Sequence, residues 1–181
     1  MPGRFGGRAF FIGALIVAAF PSEVQAAMPD SVTTTQLSNY YDQVPYESHP
    51  FPQTAAEHLE AIAYLFGLDA PAPAGARVLE LGCASGGNLI PFAARHPGAA
   101  VVGVDLSAGQ IRVGQEAVER AGVSNLRLRQ YDISEIDESF GQFDYIVCHG
   151  VYSWVPAAGQ EAILRVGSRN LAPQGVAYVG Y

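Results

Sequence analysis

From Arg77 onward, apolar positions come in short runs separated by longer amphipathic stretches: Val78-Leu79-Glu80-Leu81, Ala100 to Val104, Leu126 to Gln130, Tyr145 to Cys148 and Val176 to Tyr181. Each run is rich in Val, Leu, Ile or Tyr and too short for a helix, so the alternation predicts parallel strands joined by right-handed helical crossovers. Three of the gaps have the pattern of helices. In the clearest, Ser107 and Gln110 make a capping box, Ile111, Gly114, Val118 and Ala121 line one side, and Gly122 ends it. The expected fold class is α/β: a three-layer αβα sandwich around a Rossmann-like, doubly wound, mostly parallel sheet. The chain stops on the fifth run, so the sheet is expected to be truncated there, with an exposed apolar edge that frays or pairs with another copy.

Ahead of the sheet, Thr54 and Glu57 have capping-box spacing, Leu59, Ile62, Ala63 and Phe66 form an apolar face, and Gly67 supplies a stop. A Pro/Ala loop, Asp69 to Gly75, follows. Tyr40 to Phe51 mixes aromatics with Pro45 and Pro50, which bias their neighbours away from helix. This predicts an extended arm, and Tyr46 and Phe51 give it stacking faces with which to close as a lid. At the start, Arg4 and Arg8 precede the apolar run Ala9 to Phe20, and Val24-Gln25-Ala26 offers a small-residue cleavage site. Residues 1–27 are therefore either a secretory signal or an upstream extension before a start at Met28. The run is too short to span a membrane. The expected division is a leader at 1–27, an arm and helix at 28–75, and a sheet domain at 76–181; the location is cytoplasmic, or exported if 1–26 is a signal.

Composition narrows the chemistry. Seventeen acids against ten bases give a net charge of -7, so no nucleic-acid partner is expected. Every base is Arg, which removes lysine Schiff-base chemistry and the P-loop. Cys83 and Cys148 lack redox spacing, and His49, His58 and His96 lack convergent partners, so no metal is expected. The two thiols end the first and fourth strands, where they either approach one another or stay free.

The chemistry-bearing constellation begins at Glu80-Leu81-Gly82-Cys83-Ala84-Ser85-Gly86-Gly87-Asn88, a glycine-rich turn between the first strand and a helix. A doubly wound sheet binds its ligand at such a turn. Asp105 ends the second strand, where a carboxylate accepts from ribose hydroxyls or only caps the next helix. Asp132 follows the third, where it accepts from an adenine amino group or ends a strand in solvent. Together the three features point to an adenosine-bearing cofactor. Glu80 separates the candidates: facing the ligand, it repels a pyrophosphate but holds a cationic aminoacyl sulfonium. Its alternative is a buried carboxylate bonded to nearby amides, and the alternative for Asn88 is a helix cap.

These residues resemble a family. The E-L-G-x-x-x-G turn, Val102 to Asp105, Asp132-Ile133 and Phe143 to Val147 are similar to successive motifs of class I S-adenosylmethionine-dependent methyltransferases. Longer strings, Tyr41 to Thr54, Leu81 to Pro91 and His149 to Pro156, resemble bacterial methyltransferases that carry a regulatory domain after the catalytic one. The resemblance implies that Glu80, Gly82 and Gly86 shape the methionine and sugar pocket, Asp105 holds the ribose, and Asp132 with Ile133 reads adenine. It also brings Cys83, Ala84, Asn88, Leu106 and His149 to the cofactor. Ala84 departs from the wider family, where many members have Gly. Relatives continue past the fifth strand with a helix and two more strands, which implies weak stability and loss of much of the acceptor site here.

Methyl transfer needs alignment and exclusion of water, and a base only where the nucleophile must lose a proton. His149, with Tyr152 behind it, is placed for that role; the alternatives are a backbone bond for His149 and packing for Tyr152 and Trp154. The acceptor is a small molecule or protein that the sequence does not identify. A non-catalytic cofactor- or partner-binding remnant is the alternative function, and an NAD-dependent oxidoreductase a third, weakened by Glu80.

Overall fold

The computed structural model describes residues 48–180 and the strand Ala14–Ala18. Its strands are β1 (Ala14–Ala18), β2 (Arg77–Leu81), β3 (Ala100–Asp105), β4 (Leu126–Gln130), β5 (Phe143–His149) and β6 (Leu171–Gly180). Its helices are α1 (Ala56–Leu65), α2 (Leu89–Arg95), α3 (Ala108–Arg120) and α4 (Ala157–Arg169). All strand pairs are parallel, in the order β1-β6-β5-β2-β3-β4. The chain winds from β2 outward through β3 to β4, then returns to place β5 on the other side of β2. This is the strand-order reversal that opens a crevice at the carboxyl ends of the central strands.

Period-two alternation divides the core. Val78, Val101, Leu128, Tyr145 and Val147 face α1, α2 and α3, meeting Leu59, Phe92 and Ile111. Leu79, Leu81, Val104, Ile146 and Cys148 face the opposite layer, meeting Ile163 and Val166 of α4. The expected αβα sandwich therefore forms. Ser107 caps α3 as its sequence spacing requires, accepting from the Gln110 amide at 3.1 Å. Asp144 fixes the start of β2 by accepting from the Arg77 amide at 2.8 Å and from its guanidinium at 3.0 Å.

Three expectations are corrected. The Thr54/Glu57 capping box does not form: α1 starts after Ala55 with no side-chain cap. Pro52 opens a short 3-10 turn, Pro52–Thr54, that turns the Thr54 hydroxyl back to the Phe51 carbonyl. Glu57 instead binds Arg95 at 3.1 Å and His96 at 2.8 Å, joining α1 to α2. Phe66, expected on the buried face, is 83% exposed, because Gly67 (φ +79°) reverses the chain and sends Leu68 into the core instead. The Leu68 amide reaches the Ala63 carbonyl at 2.9 Å, which closes that helix end.

The third correction is the edge. The strand running to Gly180 is not open, because β1 pairs parallel along it from Ala14↔Val176 to Ala18↔Gly180. Ala14–Ala18, within that apolar run, thus supply an edge strand whose backbone satisfies groups that would otherwise template association. The remainder of the leader, residues 28–47 and Tyr181 lie outside the described residues, so Tyr46 and most of the lid do too. Among the described residues, no helix is long and apolar enough to cross a membrane.

Candidate functional site

The turn after β2 is shaped by three left-handed residues, Gly82 (φ +75°), Ala84 (φ +47°) and Gly86 (φ +77°). At Gly82 a Cβ would run into the Val151 side chain, so glycine is required by close approach as well as by φ. Ala84 adopts the same region at a cost of about 1–2 kcal/mol. Asp105 holds the turn in place: Oδ2 accepts from the Ala84 amide at 2.8 Å and Oδ1 from the Ser107 amide at 2.9 Å. Its carboxylate thus ties the glycine-rich turn to the residue that caps α3.

Glu80 is 4% exposed, although it sits at the mouth of this turn. Its Oε1 accepts from Asn88 Nδ2 at 2.9 Å, while Oε2 is buried with no hydrogen-bond partner among the described residues. Burial pushes its carboxyl up to about 7; the Asn88 bond opposes that rise and the nearby Asp105 charge adds to it. The alternative of a carboxylate satisfied by local amides therefore holds for one oxygen only. A buried acceptor left without a partner costs free energy that a bound donor recovers.

Asn88 stands at the N-cap position of α2, yet its side chain makes no cap bond. Its oxygen accepts from the Phe51 amide at 3.0 Å, and its nitrogen donates to Thr54 Oγ1 at 3.0 Å as well as to Glu80. Ser48 Oγ accepts from the Gly87 amide at 2.8 Å. The described part of the arm is thus laid directly on the glycine-rich turn.

His149 closes β5. The Phe51 ring lies 4.4 Å from the imidazole, and the Tyr178 hydroxyl lies 3.4 Å from Nδ1. Burial lowers the His149 pKa, so the ring is neutral near pH 7. Tyr152 opens a 3-10 turn, Tyr152–Trp154, and packs with the cluster on the α4 face, while its carbonyl accepts from Gln160 at 3.0 Å. Asp132 caps the turn Ile133–Glu135 by accepting from the Ser134 amide at 2.8 Å, and Ile133 packs on the α4-side core. The Leu106 carbonyl accepts from Gln130 at 3.3 Å. Cys83 and Cys148 are free, buried and assigned to opposite core clusters. Among the described residues, no group of three His, Cys, Asp or Glu side chains could hold a metal.

Ser48, Thr54, Phe51 and Tyr178 join this constellation without having been singled out as donor-site or catalytic residues. Ser48, Phe51 and Thr54 lie in the Tyr41 to Thr54 string, Phe51 as a stacking face and Thr54 as a cap, but neither signal points to Asn88 or His149.

The methyltransferase domain family matches residues 78–175, more than half of the chain and every strand from β2 to the first half of β6. The chain belongs to this family. An uncharacterized protein of Rickettsia prowazekii (strain Madrid E) is 50% identical over 143 residues, which cover 79% of this methyltransferase-domain chain and 26% of the relative. A second from the same organism is 45% identical over 141 residues, covering 78% and 56%. Among solved structures, PKMT2 from Rickettsia typhi in complex with AdoHcy superposes with a TM-score of 0.73 at 44% identity, covering 75% of this chain and 26% of that one. The chain thus spans about a quarter to a little over half of the length of these relatives. The doubly wound methyltransferase fold inferred from the sequence stands.

Proposed function

We propose that the chain binds S-adenosylmethionine across the carboxyl ends of β2, β3 and β4 and acts as a methyltransferase on an acceptor approaching from the His149 side. The observation that carries this reading is the buried, unpartnered Oε2 of Glu80 beside a turn held in left-handed backbone at Gly82, Ala84 and Gly86. A carboxylate in that place suits the ammonium of an aminoacyl nucleoside and opposes a pyrophosphate, so a nicotinamide dinucleotide fits poorly. PKMT2, solved with AdoHcy at 44% identity, supports the same ligand class.

When bound, the donor supplies a methyl group already activated on its sulfonium. The remaining work falls to the protein. Glu80 anchors the amine, Asp105 accepts from the ribose hydroxyls while still holding the Ala84 amide, and Asp132 with Ile133 lines the adenine end. Gly82, Cys83, Ala84 and Gly86 form the floor, and Leu106 borders the sugar. His149 is neutral and therefore able to accept a proton from the acceptor nucleophile; Phe51 and Tyr178 exclude water around it. Tyr152, packed toward the opposite core, is given a wall-forming role rather than a proton-transfer role. Free buried thiols suit a reducing compartment and support a cytoplasmic location.

Calorimetric titration of the full chain with S-adenosylmethionine, S-adenosylhomocysteine and NAD tests the reading. Both adenosyl ligands should bind, NAD should not, and Asp105→Ala should weaken binding at least tenfold. NAD binding with no adenosyl binding would overturn it.

A further inference from the structure

Asn88 has three hydrogen-bonding positions engaged at once, and they lead to two different parts of the molecule. Two reach the arm, at the Phe51 amide (3.0 Å) and Thr54 Oγ1 (3.0 Å); the third reaches Glu80 Oε1 (2.9 Å). Thr54 Oγ1 also donates to the Phe51 carbonyl at 2.9 Å, so the arm closes a ring around this one amide. Gly87 allows the contact, since a Cβ there would strike the Ser48 carbonyl. Beyond the ring, Phe51 lies against His149 at 4.4 Å.

We propose that Asn88 is a positioning residue that couples donor binding to docking of the Ser48–Thr54 arm: the amide that orients Glu80 also holds the arm, and with it Phe51 against His149. The inference deepens the donor-site reading and rests on it. An ionised Glu80 can only accept, so it fixes the Asn88 nitrogen toward itself and the oxygen toward the Phe51 amide. A protonated Glu80 can donate, and an amide turned to receive that proton presents its nitrogen to the Phe51 N–H, which breaks the arm contact. A cationic ligand that keeps Glu80 ionised therefore favours the docked arm. The other titratable groups around Glu80 are Asp105 on β3, Cys83 in the turn and Cys148 on β5. Burial keeps both thiols protonated, which leaves Asp105 as the neighbouring charge.

Coupling of this kind is reciprocal, so a change confined to the arm must alter donor affinity. The test is hydrogen exchange of residues 48–54 in the full chain with and without S-adenosylhomocysteine, alongside calorimetric affinities, for the native chain, Thr54→Val, Thr54→Ser and Asn88→Ala. Thr54→Val keeps the side-chain shape and removes only the hydroxyl. It should weaken S-adenosylhomocysteine binding about two- to tenfold, the value of one hydrogen bond, and Thr54→Ser should restore it. In the native chain the ligand should slow exchange at 48–54, and in Asn88→Ala it should not. Native binding without slowed exchange, or Thr54→Val binding as tightly as the native chain, overturns the coupling alone. A native chain that binds no S-adenosylhomocysteine overturns the coupling and the donor-site reading together.

Discussion

A carboxylate such as Glu80, 4% exposed with one oxygen unpartnered, is costly to the free protein and makes stability depend on pH. Its folded pKa is raised to about 7 from an ordinary 4.5, so the native state holds the proton more tightly than the unfolded chain. Stability from this group is fully present below about pH 4.5 and is lost as pH rises through about 7. Glu80→Gln removes that dependence: denaturant melts should show a smaller loss of stability between pH 5 and pH 8 than the native chain. An equal loss in both would mean that Glu80 titrates normally. Ala84 carries the opposite kind of cost, in the backbone at φ +47°. Ala84→Gly should stabilise the fold by about 1 kcal/mol, raising the melting temperature by roughly 2–4 °C. Glu80, Gly82, Gly86 and Asp105 were legible because a turn after an apolar run marks them locally. The bonds from Asn88 to the arm were not, since Asn88 and Thr54 each fit a local capping rule while the partners on the arm lie 37 and 34 residues away in the chain. Tyr178 was hidden as one more apolar position in a strand.

At the scale of elements, the strand runs and three crossover helices were legible because alternation and helical period are written into short stretches. The departures come from pairings between distant elements. Nothing within Ala9 to Phe20 announces a strand on its own; the pairing of Ala14–Ala18 depends on the edge that β6 offers. A chain beginning at Met28 lacks β1 and exposes the backbone of Val176 to Gly180. It should associate in a concentration-dependent manner in light scattering, whereas the full chain should do so less. Equal behaviour of both chains would remove β1 from any protective role.

For the molecule as a whole, the proposed site lies where the strand order reverses, between β2 and β5. The proposed donor side comprises the turn after β2 and the ends of β3 and β4; the proposed acceptor side comprises His149, Tyr178 and the arm. The fold and the turn on which the donor side is proposed were readable because they follow from one repeated βα pattern, while the arm contacts depend on a segment folded back over that turn. The most direct test of the account is calorimetric titration of S-adenosylhomocysteine near pH 6.5 in two buffers of different ionisation enthalpy, for the native chain and Glu80→Gln. Binding of its ammonium beside Oε2 should expel the Glu80 proton, giving net proton release in the native chain and none in the variant. Native binding without proton release, or release that persists in Glu80→Gln, would contradict the placement of the donor amine on Glu80.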